Sequence, residues 1–592
     1  MSVRQCDFEG NTFFIFSTWG DPREWYDVEY VIKCFFKDRT RKTIIAYHEG
    51  IQTAATTKAL SRMLKALGKR VMVTIFIQDT LLLNIIKKQD RRAEEVACSL
   101  WSSEGKTITK KRSELNKYIF GYISKYIECA RKDGESAREC VEECVVLPGI
   151  ASFRSGGYLY IWRGDECYKY IKGGMLTHVL KKLAQTIDET TQVDGTIGVI
   201  VDTSHGVNYF AIALKDVTPL ACALHVVKRA LSNAERTQLH LYHYNVQPII
   251  ASTEKKRVST ALEMVSFEEM GFHRKGQESF GPHFEIIREH IESIFSKRTF
   301  KDVVNLLENK VSWLGENEQN SDENKKNSWE LIGASTLLFV RGVLPWALRI
   351  AGDLGLGFED VLNKFEEKLN EVNIKFSSKR GQKEGVERVA TYDWESVGAP
   401  DAEAVTLALL AAILKEGAES ALSRDLGDEA RVIDEAEKAI EKCKAQNKDA
   451  GEKALQLLDK LKKGCVRVPA SKLSELASII YPKPFSVIVQ TEVDEYFEKY
   501  FGAPCREPCC SENVKVLPDG DIVVKCEDSE VYLPYYRGEP EERPFYAHAG
   551  LVRGTIFAVV RRSNEYYLLL GPYDPILNAL REWHSRRAAA SE

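Results

Sequence analysis

The chain has little net charge, few histidines and no unbroken apolar run of membrane length. Its 82 lysines and arginines stand against 86 aspartates and glutamates, for a formal charge of −4. Bulk attraction to nucleic acid is therefore not expected, and any such contact has to be local. The most apolar stretch, "LIGASTLLFVRGVLPWALRIAG" at 331–352, is interrupted by Arg341, Pro345 and Arg349. It reads as buried helix rather than a membrane span. The opening "MSVRQCDFEGNTFFIF" lacks the apolar core and small-residue cleavage site of a secretory signal. The expected location is the cytoplasm, with no membrane partner. A standard zinc spacing is also missing. The 14 cysteines are scattered except for Cys505, Cys509, Cys510 and Cys526, whose C-x3-CC-x15-C pattern matches no zinc signature. A disulfide in that cluster stays open for a hyperthermophilic host, which the heavy use of Glu, Lys and Arg fits.

What is present is an ordinary globular composition, 44% apolar and 28% charged, over 592 residues. That length implies roughly two to four domains. From residue 12 to about 250, short apolar runs alternate with amphipathic segments such as "TAATTKALSRMLKALG" and "MLTHVLKKLAQTIDE". "TFFIFSTWGDP", "RVMVTIFIQDT" (70–80) and "TIGVIVDTSHG" (196–206) each run from a strand into a polar loop. Strands alternating with helices predict a parallel, doubly wound sheet whose ligands lie beyond the carboxyl ends of the strands. Residues 88–147 show no strand signal and read as a helical insertion. The polar stretches 315–328 and 377–385 read as loops.

Beyond 329 the pattern is mainly helical. "DEARVIDEAEKAIEKCKAQNKDAGEKALQLLDKLKKG" predicts exposed helices joined near Ala450–Gly451. "NVKVLPDGDIVVKCEDSEVYLPYY" then alternates with period two and predicts a hairpin turning at Pro-Asp-Gly.

Two motifs carry chemistry. In "ERPFYAHAGL" (542–551), Pro544 suits the first turn of a helix, so Arg543 and His548 are expected to converge near its N-terminus, where a phosphate is favoured. An imidazole moves protons near neutral pH, and a guanidinium braces phosphate oxygens without losing its charge. Those parts suit metal-independent RNA cleavage by the 2′-hydroxyl, with a second copy supplying the second histidine. The alternative is a core histidine, with Arg543 paired to Glu541 or Glu542. In "IGVIVDTSHGVNYF" an apolar strand runs into Asp202, Thr203, Ser204, His205 and Gly206, followed by Asn208. This reads either as a nucleotide-binding loop or as a polar strand-to-helix turn capped by Asp202.

"DTSHG" resembles the Asp-x-Thr/Ser-His-Gly signature of CRISPR-associated CARF domains, and "RPFYAHAGL" resembles the Arg-x4–6-His motif of HEPN ribonucleases. The order, CARF before HEPN, also fits, and the resemblance covers roughly 1–250 and 330–592. It implies an N-terminal Rossmann-like α/β domain with a helical insertion (1–250), a connecting region (251–329) and a helical HEPN domain with a β-hairpin insertion (330–592). The implied protein is an ancillary endoribonuclease of type III CRISPR systems in antiviral defence. It would cleave single-stranded RNA without metal or cofactor, as a homodimer or a larger assembly of dimers. Its allosteric activator would be a cyclic oligoadenylate, cyclic tetra-adenylate in first place and hexa-adenylate second.

The motif match makes Arg543 and His548 catalytic. The activator pocket would draw on Thr203, Ser204, His205, Gly206 and Asn208, and by strand-end geometry on Ser17, Thr18, Trp19, Gly20, Gln78 and Thr80. Trp19 either stacks on an adenine or packs in the core. The loop hydroxyls also permit degradation of the activator. HEPN motifs often have a polar residue where Pro544 stands, which keeps a non-catalytic sensor as the rival reading.

Overall fold

The computed structural model describes residues 6–591 except 23–27, 38–42, 84–99, 102–105, 124–141, 191–195, 247–258, 316–321, 381–385, 395–400, 445–447, most of 484–512 and a few shorter gaps. The chain divides into two compact units, each discontinuous in sequence. One comprises 1–225, 237–270 and 362–406; the other comprises 226–236, 271–361 and 407–592.

The first unit is built on strands β1 (Thr12–Trp19), β2 (Val28–Lys37), β3 (Thr43–Thr53), β4 (Arg70–Gln78), β5 (Ile108–Lys111), β6 (Glu142–Leu147), β7 (Ala151–Ser155), β8 (Tyr158–Arg163), β9 (Ile197–Asp202), β10 (Arg236–Val246) and β11 (Ser259–His273). β11 ends in a hairpin with β12 (Glu278–Phe280). The main sheet runs β3-β2-β11-β10-β9-β1-β4-β6. Its centre, β6-β4-β1-β9-β10, is parallel throughout. Taken in chain order these five strands lie 3-2-1-4-5, the doubly wound arrangement, with the reversal at β1 and β9. "FFIF", "TIFI" and "VIV" are buried, as expected of parallel strands covered on both faces. The helices of this layer are α1 (Thr56–Ala66), α2 (Arg112–Ile123), α3 (Cys167–Thr190) and α4 (Asn208–Leu231).

A second sheet of five strands, β5-β13-β14-β8-β7, adds β13 (Asn373–Arg380) and β14 (Val386–Asp393). The region expected to be a purely helical insertion therefore needs correcting, since β5 and β6 fall inside 88–147. β6 was missed because only Cys144–Leu147 of it is apolar, too short a run to separate from helix. The polar stretch at 377–385 is corrected likewise, because 377–380 is the end of β13. Ser377 and Lys379 point from one face while Ser378 is buried on the other, so the alternation was there without an apolar signal.

In the second unit the apolar run at 331–352 is buried helix, broken into Asp322–Val340 and Leu344–Ala351. The former starts inside the stretch expected to be loop, so 322–328 is helical. Helices Asp428–Cys443 and Lys448–Lys462 follow, and Ala450 and Gly451 lie in the first turn of the latter rather than at the join. Their apolar faces pack on a six-stranded antiparallel sheet. In sheet order its strands are Val466–Pro469, Glu565–Leu570, Phe557–Arg562, Ser529–Leu533, Ile522–Lys525 and Val514–Val516. The expected hairpin insertion is thus three strands of a larger sheet. Among the described residues one helix, Tyr209–Leu231, is apolar and long enough to cross a membrane by composition, but 72% of its most apolar 18-residue stretch is buried within the fold.

Candidate functional site

At the sheet's switch point Ser17 of β1 sits directly beside Asp202 of β9. The Asp202 carboxylate gathers hydroxyls from two elements. Oδ2 accepts from Ser17 Oγ (3.1 Å) and Thr56 Oγ1 (2.7 Å), and Thr57 Oγ1 lies 2.9 Å away; Oδ1 accepts the Ser204 N–H (3.1 Å). Thr56 and Thr57 open α1, whose free N–H groups favour the nearby negative charge. The Thr56 N–H also points at His205 Nε2 (3.3 Å), and Thr18 Oγ1 donates to the His205 carbonyl (2.6 Å). Sequence reasoning missed Thr56 and Thr57; a Thr-Thr pair at a helix start was the available signal.

This network holds the loop after β9 in a fixed shape. Ser17, Thr18 and Trp19 are buried, and the Trp19 indole N–H donates to Thr57 Oγ1 (3.1 Å). Gly20, Thr203, Ser204 and His205 are half-buried and form the accessible part of these loops. Thr203 Oγ1 lies 2.8 Å from His243 Nε2, a partner on β10 that the sequence did not single out. The Ser204 hydroxyl is buried with no hydrogen-bond partner among the described residues. Burial, partly opposed by Asp202, lowers the pKa of His205 and favours its neutral form. Burial and Lys215 do the same to His243. Gly206 lies outside the described residues, and Asn208 begins α4.

The loop after β4 is braced from behind. Gln78 and Thr80 are buried; Gln78 Oε1 accepts from Thr80 Oγ1 (3.0 Å) and Tyr209 Oη (2.7 Å). Between them Asp79, fully buried, accepts from Tyr392 Oη (2.6 Å), the Gly149 N–H (3.0 Å) and Arg112 Nε (3.3 Å). Arg112 is buried too, and its remaining donors reach the carbonyls of Leu369 and Val146. Desolvation pushes the Asp79 pKa up to about 6 although Arg112 and these hydrogen bonds pull it down. Gly149 is held close: a Cβ there would lie 2.8 Å from Thr80 Oγ1 and 2.9 Å from Gln78 Cβ. A cavity of about 180 Å³ lies beside this brace, lined in part by Arg112, Asn116, Cys144, His178 and Glu366.

In the second unit the Arg-His motif occupies the connection 534–556 between strands Ser529–Leu533 and Phe557–Arg562. Its helix is short, Glu542–Ala547, with Glu541 as N-cap and His548 as C-cap. Pro544 falls in the first turn, where its lack of an N–H costs nothing. The helix stops because Ala549 and Gly550 both take positive φ (49° and 81°), and the Gly550 N–H closes onto the Phe545 carbonyl (2.8 Å) in a Schellman-type end. Trp346 Nε1 donates to the Gly550 carbonyl (3.0 Å), anchoring that end.

Arg543 and His548 are therefore not gathered at the helix N-terminus. One is in the first turn and the other at the far cap, roughly 7.5 Å apart along the axis at 1.5 Å per residue. Both are exposed, so His548 is not a core histidine. Of the cysteine cluster, Cys505, Cys509 and Cys510 lie outside the described residues, and Cys526 is a free thiol. The disulfide present joins Cys6 to Cys34, 28 residues apart, which no spacing rule marks.

Residues 14–248 match the family model described as CRISPR system endoribonuclease Csx1, CARF domain. No curated protein matches the sequence.

Proposed function

The chain carries a CRISPR-associated CARF domain of the Csx1 type, and from that premise we propose that it is a ribonuclease switched on by a cyclic oligoadenylate. The carrying observation is the loop after β9, fixed at the switch point by Asp202, with the Ser204 hydroxyl unpartnered among the described residues. A ring of adenylates offers phosphate oxygens and base edges to such donors. Thr203, Ser204, His205 and Gly20 make direct contacts, while Ser17, Thr18 and Gln78 to Thr80 hold the loops in place. Two copies meeting at these strand ends enclose a symmetric activator, and cyclic tetra-adenylate is the preferred ring.

Cleavage is assigned to Arg543 and His548 in the second, HEPN-like part of the chain. His548 takes the proton from the attacking 2′-hydroxyl, or as the acid gives one to the leaving 5′-oxygen, and Arg543 stabilises the charge on the five-coordinate phosphate. Their exposure leaves them open to RNA and to a second copy. The test is cleavage of labelled single-stranded RNA with cyclic tetra-adenylate. His548→Ala is expected to lose at least a hundredfold in rate while still binding activator, and EDTA is expected to leave the parent rate unchanged. Equal rates for mutant and parent would remove the catalytic assignment.

A second reading, a sensor without nuclease activity, draws on one observation: within a protomer the two side chains stand at opposite ends of a short helix that also contains Pro544. RNA left intact at every activator concentration, with activator binding preserved, selects that reading.

A further inference from the structure

One face of the five-stranded sheet carries a concentration of cations in a chain of net negative charge. Residues paired directly across strands project from the same side, so the register places Lys111, Asn373 and Asp393 in one row. Thr109, Lys375, Thr391 and Arg163 form the next, then Ser377, Val389, Ile161 and Ser152, then Lys379, Glu387, Leu159 and Arg154. Lys111, Lys375, Lys379, Arg154, Arg163, Thr109, Thr391 and Ser152 are exposed. The opposite face is the packed one, where Trp101 meets Tyr160 and Phe376 edge-on.

Five cations thus share an open surface with two carboxylates. Asp393 answers Lys375 (2.7 Å) and Glu387 answers Lys379 (3.5 Å), so among the described residues the face keeps an excess of three positive charges in a chain whose total is −4. Lys375 and Lys379 are about 13 Å apart along their strand, and Lys375 and Arg163 about 10 Å apart across two strand spacings. Thr391 lies between Lys375 and Arg163 and Ser377 between Lys375 and Lys379, while Thr109 and Ser152 flank them on the outer strands; all four are hydroxyls of the kind that bond phosphate oxygens. The aliphatic residues here, Leu159, Ile161 and Val389, are half-buried or buried, and the face has no aromatic anchor of the sort a tight protein partner fills. The geometry points to a nucleic-acid strand as the occupant, held through its phosphates and without base readout. This is the local basic patch that the overall charge requires if the chain is to hold nucleic acid outside its nuclease motif.

The experiment uses the full chain carrying His548→Ala, so that binding is read without cleavage, and a labelled 20-nucleotide oligouridylate. Lys375→Gln with Arg163→Gln is expected to weaken binding about tenfold at 50 mM salt. It also lowers the slope of log affinity against log salt by about 1.4, two contacts at roughly 0.7 each for single strands. Asp393→Asn with Glu387→Gln, which frees two lysines, is expected to tighten binding. The idea is overturned by an unchanged salt slope in the first variant, by no gain in the second, or by polyglutamate competing as well as RNA at equal charge, which would make the face a site for acidic protein. Because the readout is binding, failure here leaves the nuclease assignment standing.

Discussion

Asp79 is a carboxyl whose chemistry departs clearly from that of an exposed aspartate. Its pKa rises from 3.8 to about 6 because burial outweighs Arg112 and three hydrogen-bond donors. A carboxyl whose folded pKa is raised favours the fold when protonated, so its contribution is full below about pH 4 and is lost as pH rises to about 6. Asp79→Asn removes that slope. Melting temperatures across pH 4–7 should show the parent falling relative to the variant between pH 4 and 6, with a constant offset above. Parallel curves would mean that Asp79 ionises normally. At this scale the sequence pointed to Gln78 and Thr80 but not to the residue between them. The partners of Asp79, Arg112 and Tyr392, come from 33 and 313 residues away, and nothing local marks them.

At the scale of elements, one turn holds the Arg-His motif in place. The helix bearing Arg543 ends on Ala549, an alanine in the left-handed region, where a Cβ costs roughly 1–2 kcal/mol. Ala549→Gly should raise stability by about 1 kcal/mol in a denaturant melt. Gly550→Ala should do the reverse, by about 1–3 kcal/mol. Its φ is +81° and its Cβ would lie 2.5 Å from Trp346 and 2.6 Å from Val343. RNA cleavage should fall with it, because the anchor of His548 shifts. No change in either variant would place the strain elsewhere. The strands β1, β4 and β9 were legible because long apolar runs ended in polar loops. β6 and β13 were not, since each is half polar and pairs with strands distant in sequence, nor were the first turns of Asp322–Val340, whose opening residues are all polar.

For the whole molecule, the first unit is closed by residues 362–406, a return of the chain after its preceding segment has ended at residue 270. A linear reading draws boundaries between stretches and has no signal for a return of the chain. The same return builds the five-stranded sheet and delivers Tyr392 to Asp79. The parallel core and the loop at Asp202 to His205 were readable in advance because strand-end chemistry is local. The Arg-His helix, Glu542–Ala547, also follows closely in sequence on strand Ser529–Leu533, but the sheet around it is assembled from more distant strands.

An activator bound at the CARF loops is expected to release cleavage elsewhere in the chain. Such coupling requires the ring to bind the active arrangement more tightly than the resting one. The direct measurement is the initial rate of cleavage of a labelled single-stranded RNA against a panel of cyclic oligoadenylates, with linear oligoadenylate as control. The account predicts at least a tenfold rise with cyclic tetra-adenylate and none with the linear form. An equal rate with and without every ring would contradict it.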